Sequence, residues 1–166
     1  MTVVELSSEL ELFNSALETG IRTLVVLNAV HPMMFDLSQL TWFDHLVVHT
    51  GDIGGPDSLH PDLPHRGGEL LVRRATIERG LIVMRRLHLV DIVINEGGIQ
   101  YQASDEAYPF IELMRSDYAQ ALKERAVWLA KNVCSMNAAG IEKLVSEKIG
   151  RWKVEFQGQN HFQRGL

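Results

Sequence analysis

A chain of 166 residues, 46% of them hydrophobic, is long enough to bury one sizeable core and reads as one domain. Its single cysteine, Cys134, excludes an internal disulfide and fits a reducing compartment, and apolar runs such as Leu24 to Leu27 are far too short to span a bilayer. The formal net charge is −5, yet residues 66–86 hold six arginines against two glutamates, so a +4 segment sits in a remainder of −9; this argues against wrapping a long duplex and points to a nucleic-acid contact or an acidic protein partner.

The first twelve residues, MTVVELSSELEL, are acidic and lack the basic and apolar regions of a signal peptide, which predicts a cytoplasmic protein. Ser15 followed by Glu18 has capping-box spacing and predicts a helix start. Leu17, Ile21, Leu24, Val25 and Asn28 then share one face, and His31-Pro32 ends the helix because proline disfavours helix in the residue before it. Asp36 caps a second helix to about Val48, with Leu37, Leu40, Phe43 or Asp44, and Val47 inward and Gly51 as its stop.

His49 to Arg74, HTGDIGGPDSLHPDLPHRGGELLVRR, is dense in glycine, proline and histidine, and no regular structure is expected before Glu69. A structureless loop of roughly 16 residues is uncommon in a compact domain unless it binds or catalyses. From Gly68 to His88 the pattern is one long helix. Leu70, Ile77, Leu81, Met84 and His88 form its main stripe, Leu71 with Ile82 a second, and Val72 with Val83 a third, which predicts a helix sandwiched on all sides. Gly80 weakens it by about 1 kcal/mol relative to Ala and is explained by a close helix crossing.

Val90, Ile92 and Ile94 alternate with Asp91, Val93 and Asn95; Gly97-Gly98 turns the chain; Ile99 and Tyr101 alternate with Gln100 and Gln102. This predicts a β-hairpin. Three helices followed by a hairpin is the order of a winged helix. Ser104 caps a short helix to about Met114, and Ser116 or Asp117 starts another with Tyr118, Leu122, Ala126, Leu129 and Val133 as its stripe. Asn137 caps a last helix through Ile149. The fold class is therefore mainly α within α+β: a winged-helix core over residues 13–135 with a helical extension, then a C-terminal helix and tail over 136–166.

The chain contains no GxxxxGK[ST] and no GxSxG, and GDIGGP has neither the spacing nor the helix of a nucleotide loop. His45 and His49, four apart on one helix face, with Asp52, His60 or His65, give a zinc-like set to weigh, but there is no HExxH and the reading is no metal and no cofactor. Cys134 reads as a packing residue at a helix end. The arginines suit phosphates, but the hairpin carries no Lys or Arg and its tip, Glu96, is acidic, which disfavours a DNA-reading wing.

The run GDIGGPDSLHPDLPHRGGELLVRR, with FNSALETGIR (Phe13 to Arg22) upstream and GIQYQAS (Gly98 to Ser104), Pro109 and Phe110 downstream, resembles the middle-component proteins of bacterial ABC-three-component systems. These overlap with the small accessory subunits of Lamassu-type anti-phage defence complexes. The resemblance implies a non-enzymatic bridging subunit between an SMC-like ATPase and an effector subunit such as a nuclease, with DNA contacted through the assembled complex. The residues expected to face partner or DNA are His60, Pro61, Pro64, His65, Arg66, Glu69, Arg73 and Arg74. Two readings compete with it: a free-standing winged-helix transcription regulator, and a metal-dependent hydrolase built on the histidines.

Overall fold

The computed structural model describes residues 15–61 and 69–148, with all their side chains except those of residues 69–71. In chain order it contains α1 (Ala16–Val30), α2 (Leu37–Val48), a 3₁₀ turn (Thr50–Ile53), α3 (Glu69–Arg86), β1 (Val90–Asn95), β2 (Gly98–Ala103), α4 (Ala107–Glu112), α5 (Asp117–Leu129), a π turn (Ala130–Cys134) and α6, residues 138–148. Three helices precede one antiparallel hairpin and helices follow it, a winged-helix-like layout of the mainly α kind.

Four helix starts follow the capping residues, whereas the expected cap Ser104 stands two residues before the N-cap of α4, Glu106, whose amide its Oγ accepts at 3.3 Å, and the helix runs only over Ala107–Glu112. Ser15 Oγ accepts from the Glu18 amide at 3.3 Å, and Ser116 Oγ accepts from the Ala119 amide at 3.1 Å. Asp36 forms a complete capping box: its Oδ1 accepts from the Gln39 amide at 2.8 Å while Gln39 Oε1 accepts from the Asp36 amide at 3.0 Å. Asn137 Oδ1 takes the Gly140 amide at 2.7 Å at the head of α6. One expected stop differs. Gly51 lies inside the 3₁₀ turn, and Gly54, at φ 80°, ends that turn by sending its amide to the Thr50 carbonyl. Only a residue without Cβ adopts this left-handed conformation without strain.

α1 and α3 touch backbone to backbone. A Cβ placed on Gly80 would stand 2.6 Å from the Ala16 carbonyl oxygen and 2.7 Å from the Gly20 nitrogen, and one on Gly20 would stand 2.8 Å from the Gly80 oxygen. Gly80 thus marks the close crossing its position in the sequence suggests. The crossing also sets the rotation of both helices. α1 turns Ala16 and Gly20 toward α3, so Leu17, about 100° further round, is half exposed rather than inward. α3 buries Ile77, Leu81 and Met84, whereas Val72 (69% exposed) and Ile82 face solvent and Val83 is only partly covered. From Val72 to Arg86 the long helix is therefore covered on one side and not sandwiched, because its neighbours approach from the Gly80 side; the side chains of Leu70 and Leu71 lie outside the described residues. His88 leaves the stripe altogether: α3 ends at Arg86 and His88 sits exposed at φ 60°.

β1 and β2 pair from Val90↔Ala103 to Asn95↔Gly98, so the two-residue turn is Glu96 and Gly97, one residue earlier than the expected Gly97-Gly98, and Gly98, at φ 97°, already belongs to β2. The α1–α2 connection joins the sheet at one point. Phe35 and Tyr101 exchange backbone hydrogen bonds at 3.1 and 2.8 Å, and the Phe35 ring packs edge-on against Phe43 at 4.9 Å. Leu122, Leu129, Val133, Cys134, Ile141 and Val145 from the C-terminal helices belong to the same core as Leu24, Leu27, Phe43 and Leu81. Tyr118, placed in the α5 stripe by spacing, instead lies at its edge, 42% exposed. Among the described residues no helix is long and apolar enough to cross a membrane.

Two substitutions check this packing by urea denaturation. Gly80→Ala adds helix propensity worth about 1 kcal/mol but forces the crossing apart, so it should lower stability by about 1–3 kcal/mol. Leu81→Ala should cost about 2–5 kcal/mol. A Gly80→Ala protein as stable as the parent would mean that the two helices do not meet there.

Candidate functional site

Charged residues inside apolar helix turns have to be paired, since an isolated buried charge is costly. Arg22 lies in the run that continues into Leu24–Leu27 of α1, and Asp44 lies between Phe43 and His45 of α2. They meet in the interior. Arg22 Nε donates to Asp44 Oδ1 at 2.5 Å and Arg22 Nη2 to Oδ2 at 3.0 Å, while Arg73 of α3 donates through Nη1 to the same Oδ2 at 2.6 Å. The Asp44 side chain is wholly buried, and those of Arg22 and Arg73 nearly so. Burial alone would push the Asp44 carboxyl up; the two guanidiniums and their hydrogen bonds outweigh it and hold the group below its ordinary range. Burial likewise opposes the charge on Arg22, and Asp44 beside it more than restores that charge.

A row of rings runs outward from this triad. His45 of α2 and His49, which caps the C-terminus of that helix, are buried with ring centroids 4.3 Å apart. The His60 ring stands 6.4 Å from His49, and His60 Nε2 is hydrogen-bonded to the Tyr118 hydroxyl of α5 at 2.9 Å. Burial lowers the His60 pKa, and nearby Arg22, His49 and Arg73 lower it further, so the imidazole is neutral at pH 7. Burial raises Tyr118, with Arg22 opposing through its charge and a hydrogen bond. Glu18, one turn before Arg22, is raised by burial against the pull of that arginine.

The glycine-rich loop lies over these groups and is built, not slack. The amides of Leu59 and His60 both reach the Val48 carbonyl, at 3.0 and 3.1 Å. Thr50 Oγ1 donates to the Pro56 carbonyl at 2.7 Å, and the Gly51 amide to Ser58 Oγ at 3.1 Å. Gly55 rests on the Trp128 indole, where a Cβ would come within 2.8 Å of the ring, and Arg125 Nε donates to the Asp57 carbonyl at 2.8 Å. Over residues 50–61 the expectation of a structureless segment is corrected by the 3₁₀ turn and by these contacts with α5; residues 62–68 lie outside the described residues.

Of the residues nominated from sequence, His60 and Arg73 come together at the triad. Pro61 is exposed just beyond His60, and Arg74 turns the other way to donate to Ser38 Oγ of α2 at 2.7 Å. Glu69 opens α3, and Pro64, His65 and Arg66 lie outside the described residues. Arg22, Asp44, Tyr118 and Trp128 were not nominated; the legible signal for the first two was a charge set within an apolar helical run. Among the described residues no cluster of three or more His, Cys, Asp or Glu is arranged to hold a metal ion, and Asp52, which would have closed the His45–His49 set, is exposed on the 3₁₀ turn. The Cys134 thiol is buried in the π turn and pushed up to about 12 by desolvation, which suits packing and not nucleophilic attack.

The cluster acts as an electrostatic lock joining α1, α2, α3 and the loop. Asp44→Asn leaves two buried guanidiniums without their counter-charge and should cost about 3–5 kcal/mol. The acid limb of stability should have two stages. His60 titrates at an ordinary value of 6.5 when unfolded and lower when folded, so the unfolded chain binds the proton first and stability falls as pH drops below 6.5. Asp44, also lowered, stabilises fully above its ordinary 3.8, and that contribution is lost as pH falls through its folded value. Denaturation measured across pH should show His60→Gln abolishing the first stage alone; an unchanged first stage in that variant would assign it to another group.

No curated protein and no solved structure matches the chain. Residues 12–155, including the helices that carry the triad and the loop above it, match the family described as ABC-three component (ABC-3C) system Middle Component 2, and the chain belongs to that family.

Proposed function

We propose that this protein is a non-catalytic accessory subunit of a bacterial Lamassu-like anti-phage defence complex, docking an SMC-like ATPase to an effector subunit such as a nuclease. The observation that carries the reading is membership of the middle-component family over residues 12–155. The chemistry of the site supports it. The polar groups that could have served catalysis are committed to one another: Arg22 and Arg73 to Asp44, and His60 to Tyr118. The partner-facing surface is the end of the loop and the start of α3, His60, Pro61, Pro64, His65, Arg66, Glu69, Arg73 and Arg74, with Arg73 acting from inside by setting the position of α3. ATP hydrolysis and nucleic-acid cleavage belong to the partners, and DNA is met by the assembled complex.

A second reading, a free-standing winged-helix regulator, is favoured by one observation: Arg79, Arg85 and Arg86 are exposed on the third helix, the last two beside the hairpin. Against it, the hairpin carries Asp91 and Glu96 and no basic residue.

Expressed with the other components of its system, the tagged chain should retain the large ATPase through purification, and alone it should hydrolyse neither ATP nor nucleic acid. A dimer that retards DNA by itself and retains no ATPase would favour the regulator. Within the complex, Pro61→Glu should weaken assembly while leaving the thermal midpoint of the isolated chain unchanged, as expected of an exposed loop position. Arg73→Glu cannot serve as this test, because it would set a second carboxylate against Asp44.

A further inference from the structure

The hairpin has an apolar face that continues past the core. Cross-strand partners share a face, so Val90 with Ala103, Ile92 with Tyr101 and Ile94 with Ile99 form three successive rungs. The first rung is buried, the second half-buried, and the third open to solvent, with Ile94 78% and Ile99 52% exposed. Alongside the second rung runs a groove of about 410 Å³ between the hairpin and the C-terminal half of α3. Ile92, Tyr101, Leu81 and exposed Ile82 line it, and Arg85 and Arg86 stand on its wall. Among the described residues no carboxylate lies within ion-pair distance of either arginine.

We infer that this groove is a docking site for an amphipathic helix of a partner subunit, its apolar stripe seated on Ile82, Ile92, Tyr101 and the Ile94–Ile99 rung and its acidic edge against Arg85 and Arg86. The inference rests on the accessory-subunit reading and names the surface and the partner's chemistry. Charge complementarity selects the occupant. Two unpaired cations beside an apolar strip match a helix with Leu or Ile at i, i+3, i+4 and i+7 and Asp or Glu on its flank. The groove lies on the face of the sheet and not along its edge, so side-chain packing and not strand addition occupies it. A second copy docking through the same patch would bring a second pair of arginines, and not an acidic edge that complements them, into the contact, since a two-fold contact uses the same patch on both subunits. A DNA backbone would gain nothing from four isoleucines.

The test uses the full chain assembled with the other components of its system, carrying a photo-crosslinking amino acid in place of Ile99, and separately the double variant Arg85→Glu with Arg86→Glu. The crosslinked peptide should come from another component and should carry an apolar helical stripe flanked by Asp or Glu. The double variant should weaken assembly at least about tenfold, since charge reversal sets like charges together, with the thermal midpoint of the isolated chain unchanged. Exchanging the acidic residues of the mapped peptide for lysine should restore assembly with the double variant. Crosslinks confined to a second copy or to DNA, or full assembly of the double variant, would overturn the groove proposal and leave the accessory role standing. Failure of the unmodified chain to assemble with any component would overturn the accessory reading and this inference with it.

Discussion

α1 and α3 meet where neither has a side chain, and the rest of the molecule is arranged around that contact. Gly20 and Gly80 let two backbones approach until no Cβ would fit between them. Arg22 lies half a turn beyond Gly20, and Arg73 lies two turns before Gly80. The crossing therefore brings two guanidiniums to one level of the bundle, where Asp44 of α2 is waiting. A buried ion network adds little net stability over an apolar equivalent, but it is directional. Two oxygens that receive three N–H groups admit one mutual rotation of three helices, which a layer of leucines would not specify.

The loop depends on the same arrangement. His60 can lie over the triad because α2 ends at Val48, whose carbonyl takes the amides of Leu59 and His60, and because α5 presents Tyr118, Arg125 and Trp128 to its outer side. Over its described residues, a segment rich in glycine and proline is thus held at both faces without regular secondary structure beyond one 3₁₀ turn. Its glycines serve different needs: Gly54 a left-handed backbone, and Gly55 the close approach of the indole.

Two local exceptions stand against an otherwise apolar core. Charge sits inside, at Arg22, Asp44 and Arg73, while isoleucines lie outside on the hairpin and α3. In this member of the middle-component family the exposed apolar strip is the surface we propose a partner subunit covers, and the interior charges fix the arrangement of the three helices without it.

Local rules were sufficient for what depends on neighbours in the chain. Ser15, Asp36, Ser116 and Asn137 cap their helices because a side-chain oxygen three residues from an amide is placed by the backbone alone. The hairpin was legible from strict alternation around a two-residue turn, although that turn is Glu96-Gly97 and not Gly97-Gly98, which moves the register; Gly80 was legible as a crossing because glycine in mid-helix is otherwise unfavourable. The family resemblance rested on the loop, a contiguous string of residues. What needed the folded chain was every question of which side of a helix faces what. Leu17 and Val72 have the right period but the wrong phase, since phase was set by the Gly20–Gly80 contact and not by hydrophobicity. Arg73 and Arg74 are adjacent and chemically identical, yet one is buried on Asp44 and the other bonds Ser38, because successive helical residues point about 100° apart. Asp44 could be placed inward by spacing, but its partners, 22 and 29 residues away, could be found only once three helices had packed.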